Sequence, residues 1–339
     1  MKHTLVYPND GTGSGVYRLA WPGKAVAATG KPVNVLPRPK ILTDDHGDVH
    51  GINVGSAKVV VFQRPASYQY TQVIPILQEQ GIKVIIDMDD SLSTIHPRNI
   101  AFKTYDPRVN HKMNWMHAAR SCEMADLVTV TTKALAEEYG SHGRVRIIPN
   151  HVPESYLKIP RLENEIPIIT WAGWTGTHID DLFVTRGMIN QVLSETNSKF
   201  AAFGDEKIFF DLGIRNRPPN EYWGFSNISE YAPKLARADI GLVPLQKSPF
   251  NIAKSWLKSL EYASLGIVPV VTPIGDQQNL IDLGIALPAS TPKEWYTVCK
   301  ELVLNHDMRR ELSDKCRQVA SEWTIEGNTS KWIEAWENA

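Results

Sequence analysis

Apolar runs alternate with segments of helical periodicity along this chain. Val84-Ile85-Ile86 and Ile240-Gly241-Leu242-Val243 read as buried apolar strands, each followed by a polar turn. In the first half the pattern predicts strands at 3–7, 32–35, 58–62, 83–87, 127–130 and 145–148, and helices at 15–29, 67–80, 107–124 and 132–140. In the second half it predicts strands at 167–172, 199–203, 239–243 and 267–271. Helices are predicted there at 179–194, 227–237, 252–264, near 292–304 and at 307–321, with a last one between Trp323 and Trp336. Strands that alternate with helices build parallel sheets, so the fold class is α/β. Residues 36–57, punctuated by Pro37, Pro39, Gly47 and Gly51, read as a long loop.

A chain of 339 residues exceeds one typical domain and suits two. The polar, proline-containing stretch after Asn150 reads as the linker. The expected division is 1–152, 153–322 and a terminal helix, 323–339, that crosses back to the first domain. An apolar fraction of 42% fills two cores and excludes global disorder. Net charge is −1, which carries no nucleic-acid footprint for the whole chain. The halves differ: residues 1–150 hold 17 Lys+Arg against 13 Asp+Glu, or +4, which leaves 19 against 24, or −5, for the rest. That asymmetry points to an anionic partner for the first half. The three cysteines, Cys122, Cys299 and Cys316, have no metal-ligand spacing and form no even set, so a reduced cytoplasm is the expected compartment. No hydrophobic leader opens the sequence and no run has the length of a membrane span.

The stretch from Ala238 to Gly275 carries the most chemistry. Ala238-Asp239-Ile240-Gly241-Leu242-Val243-Pro244-Leu245 is followed by Pro249-Phe250-Asn251-Ile252-Ala253-Lys254-Ser255 and a helical pattern to Ala263. Lys254, Lys258 and Glu261 stand at i, i+4 and i+7, so one continuous helix would present them on one face. Two ammonium groups and a carboxylate near a helix start suit a diphosphate and a ribose. The stretch resembles the nucleotide-sugar-binding region of glycosyltransferases with the GT-B fold, in particular the family-four-like group. The run Ala125-Asp126-Leu127-Val128, with Ile148-Pro149-Asn150, is similar to the end of the first domain in that group, with His151 in place of the usual glycine.

The resemblance implies two Rossmann-like, doubly wound parallel-sheet domains facing across a cleft. The donor, a UDP-sugar, would bind mainly to the second. It also implies that no cofactor and no bound metal are required. Glu261 matches the second Glu of the family's Glu-x7-Glu motif, which holds the ribose; the first falls at Ala253, a departure that leaves the grip on the sugar ring and the stereochemical outcome open. Gly173-Trp174-Thr175-Gly176-Thr177-His178-Ile179-Asp180-Asp181 resembles the family's Gly-x4-His-x2-Asp segment, with Gly173, Trp174 and His178 as donor contacts. That turn lacks the family's Arg and Lys, a charge that Lys254 and Lys258 would supply. Asn251 and Ser255 belong to the matched helix motif, and Phe225 lies where relatives contact the nucleobase.

In the first half, Asn9-Asp10-Gly11-Thr12-Gly13-Ser14-Gly15 follows a strand and opens a helix. Gly13 and Gly15 let backbone N–H groups approach an anion. The spacing is not the dinucleotide fingerprint, and no acidic residue ends the second strand, which disfavours a dehydrogenase. Asp87-Met88-Asp89-Asp90 ends a parallel strand, where side chains reach the ligand crevice. Three carboxylates invite a metal, but the GT-B resemblance argues against one. Asp89 is the first candidate for the acceptor hydroxyl, Asp87 the second, and His96 a further candidate base. Val61-Phe62-Gln63-Arg64 together with Asp-x-Asp-Asp is similar to phage and O-antigen-type members. The expected acceptors are therefore a glycan, a protein or modified DNA. A non-catalytic nucleotide- or glycan-binding module is the alternative, and an epimerase of the same fold a third reading.

Overall fold

The computed structural model describes residues 2–215 and 218–339. It divides into two compact units. The first gathers Met1–His151, Ala253–Ser255 and Ile325–Ala339; the second holds Val152–Ile252 and Trp256–Thr324.

The strands of the first unit are β1 (Thr4–Tyr7), β2 (Val33–Val35), β3 (Ile41–Thr43), β4 (Val49–Ile52), β5 (Val59–Gln63), β6 (Lys83–Met88), β7 (Leu127–Val130) and β8 (Val145–Ile147). Six of them form a parallel sheet in the order β2-β1-β5-β6-β7-β8. Every residue of β5 is buried, as expected for a parallel strand covered on both faces. The order reverses between β1 and β5, and an open α/β sheet binds ligands at such a point, outside its C-terminal edge. Residues 13–28 form one helix with a π segment, Val16–Ala20, inside it.

The segment expected to be all loop contains the antiparallel hairpin β3–β4. Gly51 there has φ 131° and lies against Ile76 of the helix Tyr68–Glu79, so packing rather than local pattern holds the hairpin. The helix predicted from 107 begins at Trp115, where the Asn114 side chain accepts the N–H groups of Met116 and His117. The last helix, Thr329–Glu337, buries Trp332 and Trp336 in the same core as Val6, Val26, Val59 and Ile85.

The second unit holds β9 (Ile168–Gly173), β10 (Lys199–Gly204), β11 (Glu221–Tyr222), β12 (Ile240–Val243), β13 (Val268–Val271) and β14 (Leu287–Pro288). They form a parallel sheet in the order β11-β10-β9-β12-β13-β14, the doubly wound order of dinucleotide-binding domains. Its switch point lies between β9 and β12. Trp171, Phe200, Leu242, Val270 and Trp295 fill its core.

Two predicted helices are broken here. The one expected at 179–194 is a 3-10 turn, Leu182–Thr185, then a helix, Met188–Glu195; Asp180, Arg186 and Gly187 take φ of 61°, 46° and 78° around that turn. The one expected at 252–264 is Pro249–Ala253, then Leu257–Ser264.

Candidate functional site

In the second unit the helix Leu257–Ser264 is drawn onto the sheet by Tyr262. A Cβ on Gly241 would fall 2.4 Å from the Tyr262 ring, so the ring lies flat against β12 only because that residue is glycine. The Tyr262 hydroxyl accepts the Ala172 N–H of β9 at 3.0 Å. Lys258, one helical turn earlier, is thereby placed at the end of β9. Its Nζ stands 4.3 Å from the centroid of the Trp171 ring and 3.5 Å from His178 Nε2. A Cβ on Gly173 would come within 3.0 Å of that ammonium, so the glycine keeps the space open.

The other face of His178 is fixed. Its Nδ1 meets Asp181 Oδ2 at 2.9 Å, and the ring stands edge-on to Trp171. Asp181 is buried, and its Oδ1 accepts the Gln246 N–H at 2.9 Å and the Asn251 amide at 2.7 Å. Lys258, His178, Asp181 and Asn251 therefore form one chain of contacts across the switch point. Such a chain fixes the tautomer and orientation of the imidazole. Asp205 stabilises the turn after Trp174, accepting from the Thr175 N–H at 2.7 Å.

Glu261 is buried in the same helix and accepts the Tyr231 hydroxyl at 3.1 Å. Trp174 and Phe225 are open to solvent, 44% and 64% exposed. Lys254 and Ser255 do not continue this helix. They belong to the first unit, where Ser255 Oγ accepts the Asn150 amide at 2.7 Å. The single helix face expected for Lys254, Lys258 and Glu261 is not formed, because the chain leaves the helix at 254–256. Asp276 accepts the Trp256 N–H there at 3.1 Å; burial pushes its carboxyl up to about 6.

In the first unit, Asp87 ends β6 inside the core. Arg18 grips it with Nε at 2.9 Å and Nη2 at 2.7 Å, and Thr129 donates to it at 2.7 Å. The same guanidinium holds the Ile148 carbonyl at 2.7 Å. With Arg18 at 0% and Asp87 at 1% exposure, this is a buried, bidentate pair that ties the strand end together. The catalytic role expected for Asp87 is not what these surroundings favour, since both oxygens are already engaged.

Asp89 and Asp90 turn toward Arg64 instead. Arg64 follows β5 with φ 46°, an uncommon backbone for a side chain other than glycine or asparagine. Its Nε is 3.1 Å from Asp89, Nη1 3.5 Å from Asp90, and Nη2 3.4 Å from Asp10 and 2.6 Å from Ser14 Oγ. Gln63 also donates to Asp89, at 3.3 Å. Burial and then the adjacent Asp89 push the Asp90 carboxyl up to about 6, opposed by Arg64 and Lys254. Gly15 permits this closeness: its Cβ would fall 2.2 Å from the Asp10 carbonyl oxygen. Gly13, at φ 44°, opens the helix on the solvent side. His96 lies on an exposed turn, where Nδ1 accepts the Arg98 N–H at 3.1 Å.

The structure thus joins Asp89 to Arg64, Asp10 and Asp90, and Lys258 to His178 and Asn251. Arg18 and Arg64 carried no role in the sequence reading. Arg64 stood in a quoted motif, but what it pairs with depends on a loop and a strand far from it in sequence. Among the described residues no group of three His, Cys, Asp or Glu side chains is arranged to hold a metal ion.

No protein-family profile matches the sequence, and no curated protein does. Solved structures do. The catalytic domain of starch synthase IV from Arabidopsis thaliana, bound to ADP and acarbose, is similar with a TM-score of 0.67 at 10% identity, over 99% of each chain. Anabaena HepE, in complex with UDP and glucose, is similar with a TM-score of 0.66 at 11% identity, over 100% of both chains. A Listeria monocytogenes chain assigned as a UDP-N-acetylglucosamine 2-epimerase reaches 0.57 at 11% identity, over 98% of this chain and 95% of that one. These likenesses show the fold: two Rossmann-like, doubly wound units of the GT-B class. They carry no link to phage or O-antigen members.

Proposed function

We propose that this chain is a glycosyltransferase that moves a sugar from a nucleotide-diphosphate sugar, a UDP-sugar, to an acceptor hydroxyl on a glycan, a protein or modified DNA. The observation that carries the reading is Lys258. Its ammonium is held over Trp171 and against His178, in space that Gly173 leaves open, at the ligand-binding edge of the second sheet. Similarity to chains solved with UDP and with ADP supports it at the level of fold.

In this reading the second unit takes the donor. Lys258 meets the diphosphate and stabilises the charge that grows on it as its bond to the sugar breaks. His178, oriented by Asp181, lies beside the same group. Glu261 takes the ribose, and Trp174 and Phe225 are placed for the base. The first unit takes the acceptor, with Asp89 as the hydroxyl's partner and proton acceptor. No metal is needed for these steps, so transfer should survive chelation; complete, Mn²⁺-reversible loss would remove that part.

Two departures favour a second reading, a non-catalytic binding module: Ala253 stands where the family has its first Glu, and Arg64 partly neutralises Asp89. The deciding experiment is a thermal-shift screen across nucleotide sugars, followed by donor hydrolysis without acceptor. A ligand at 100 times its dissociation constant adds about 2.7 kcal/mol. No shift with any nucleotide sugar rejects both nucleotide readings; a shift with no hydrolysis and no transfer leaves the module.

A further inference from the structure

The second unit has a groove at the opposite edge of its sheet from Lys258. Its wall is built where strands begin: Pro167 precedes β9 and Asp239 precedes β12. The open part has a volume of about 470 Å³, and an inner recess of about 30 Å³ continues it between Asp239, Gly266 and Ser313. Arg309 lines both parts.

Arg309 is 93% buried, with 7% of its surface exposed. Its Nη1 donates to the Leu302 and Val303 carbonyls at 2.5 and 3.1 Å, which closes the end of the helix Pro292–Leu304. Capping accounts for that nitrogen alone. Among the described residues Nε and Nη2 have no hydrogen-bond acceptor, and no carboxylate is ion-paired with this guanidinium. Asp239 is near, but its Oδ2 accepts the Ile168 N–H at 2.7 Å and the Asn164 amide at 2.9 Å. Burial lowers the Arg309 pKa, the Asp239 carboxylate opposes that, and Arg161 adds to it, so one nearby carboxylate faces two guanidiniums.

Two more guanidiniums face the same space. Arg161 is paired with Glu163 at 3.2 Å and Asp314 at 3.1 Å, both carboxylates being about two-thirds exposed. Arg310 reaches Glu163 at 4.0 Å. Exposed pairs of this kind contribute little and exchange readily for a better anion. A small phosphate can accept several N–H groups at once from guanidiniums that share one space. Pro167, Val303 and Leu304 offer an apolar wall beside it for the rest of a ligand.

We propose that this groove binds a small phosphomonoester, its phosphate between Arg309, Arg161 and Arg310 and its body along Pro167, Val303 and Leu304. The site is independent of the nucleotide-sugar reading, and its use would place an anion on the reverse edge of the sheet that carries Lys258.

The test is calorimetric titration of the full chain with AMP and with glucose 6-phosphate, in a Lys258→Ala background that disables the first anion site. Binding with a dissociation constant near or below about 1 mM is expected for at least one ester. Arg161→Gln and Arg310→Gln should each weaken it about tenfold. Arg309→Lys should weaken it too. Unaltered far-UV dichroism and melting in the first two variants separate this loss from misfolding. No binding of either ester by about 10 mM would overturn the site. So would binding that needs Lys258, or binding that ignores Arg161→Gln and Arg310→Gln.

Discussion

At the end of β5 and β6 three carboxylates surround one guanidinium; at the end of β9 one ammonium stands over a ring and against a histidine. Both clusters occupy the switch point of a doubly wound parallel sheet, and both depend on glycine to bring polar groups close. Their contacts differ. Around Arg64 opposite charges face one another, and burial with the adjacent Asp89 raises the Asp90 carboxyl. Around Lys258 the imidazole of His178 stands between the ammonium and the Asp181 carboxylate. In the proposed function the first cluster serves a hydroxyl group and its proton, and the second a diphosphate.

The largest effect should come from removing what holds the first cluster in place. Asp87→Ala leaves the Arg18 charge buried without a partner, and should cost about 3–5 kcal/mol in urea unfolding. Replacing Arg18 and Asp87 together by apolar residues should recover much of it. A single-variant loss below about 1 kcal/mol would return Asp87 to the list of groups open to a ligand. Next is Lys258→Ala. UDP affinity should fall by about 1.5–3 kcal/mol while uridine affinity changes little. Equal losses for the two would break the contrast between the clusters.

A smaller effect concerns pH. The Asp90 carboxyl sits at about 6 in the folded chain against an ordinary 3.8. Between those values the folded state holds more protons than the unfolded one, so this group's contribution falls as pH rises through that window. Asp90→Asn should match the parent near pH 4 and exceed it above pH 6. The gain should stay under about 1 kcal/mol, because the side chain is 34% exposed. Asp276 follows the same trend in both chains, so the difference between them is the quantity to measure. A variant less stable than the parent at pH 7 would reverse the sign assigned here. The smallest expected effect is on acceptor binding. The first 150 residues carry +4, so a polyanionic acceptor should bind more weakly between about 50 and 200 mM salt while donor affinity holds. A flat response would favour a neutral hydroxyl acceptor, which the carboxylates around Arg64 already suit.

The longer strands of both sheets were legible because each is a buried apolar run; the predicted strand at 127–130 is β7 residue for residue. The two-residue edge strands β11 and β14 were not, since two residues show no pattern and their place is set by register with β10 and β13. The break before Trp256 was equally invisible. Local propensity from Ile252 to Ser264 is helical, and the competing partner, Asp276, lies twenty residues away. For the candidate site, residue types at strand ends pointed to the places where the structure gathers polar side chains around Arg64 and Lys258. Which carboxylate is engaged, and by which arginine, was decided by Arg18 and Arg64, whose contacts span 69 and 26 residues.

The first unit draws its core from both ends of the chain: Val6 and Val59 pack in one cluster with Trp332 and Trp336. A ribosome delivers those tryptophans only after the whole of the second unit. While the other unit can gather its own residues as they emerge, the first must keep an apolar gap until the helix Thr329–Glu337 is out. A break in the chain before Thr329 would then do its damage around Val6 and Val59, hundreds of residues away in sequence.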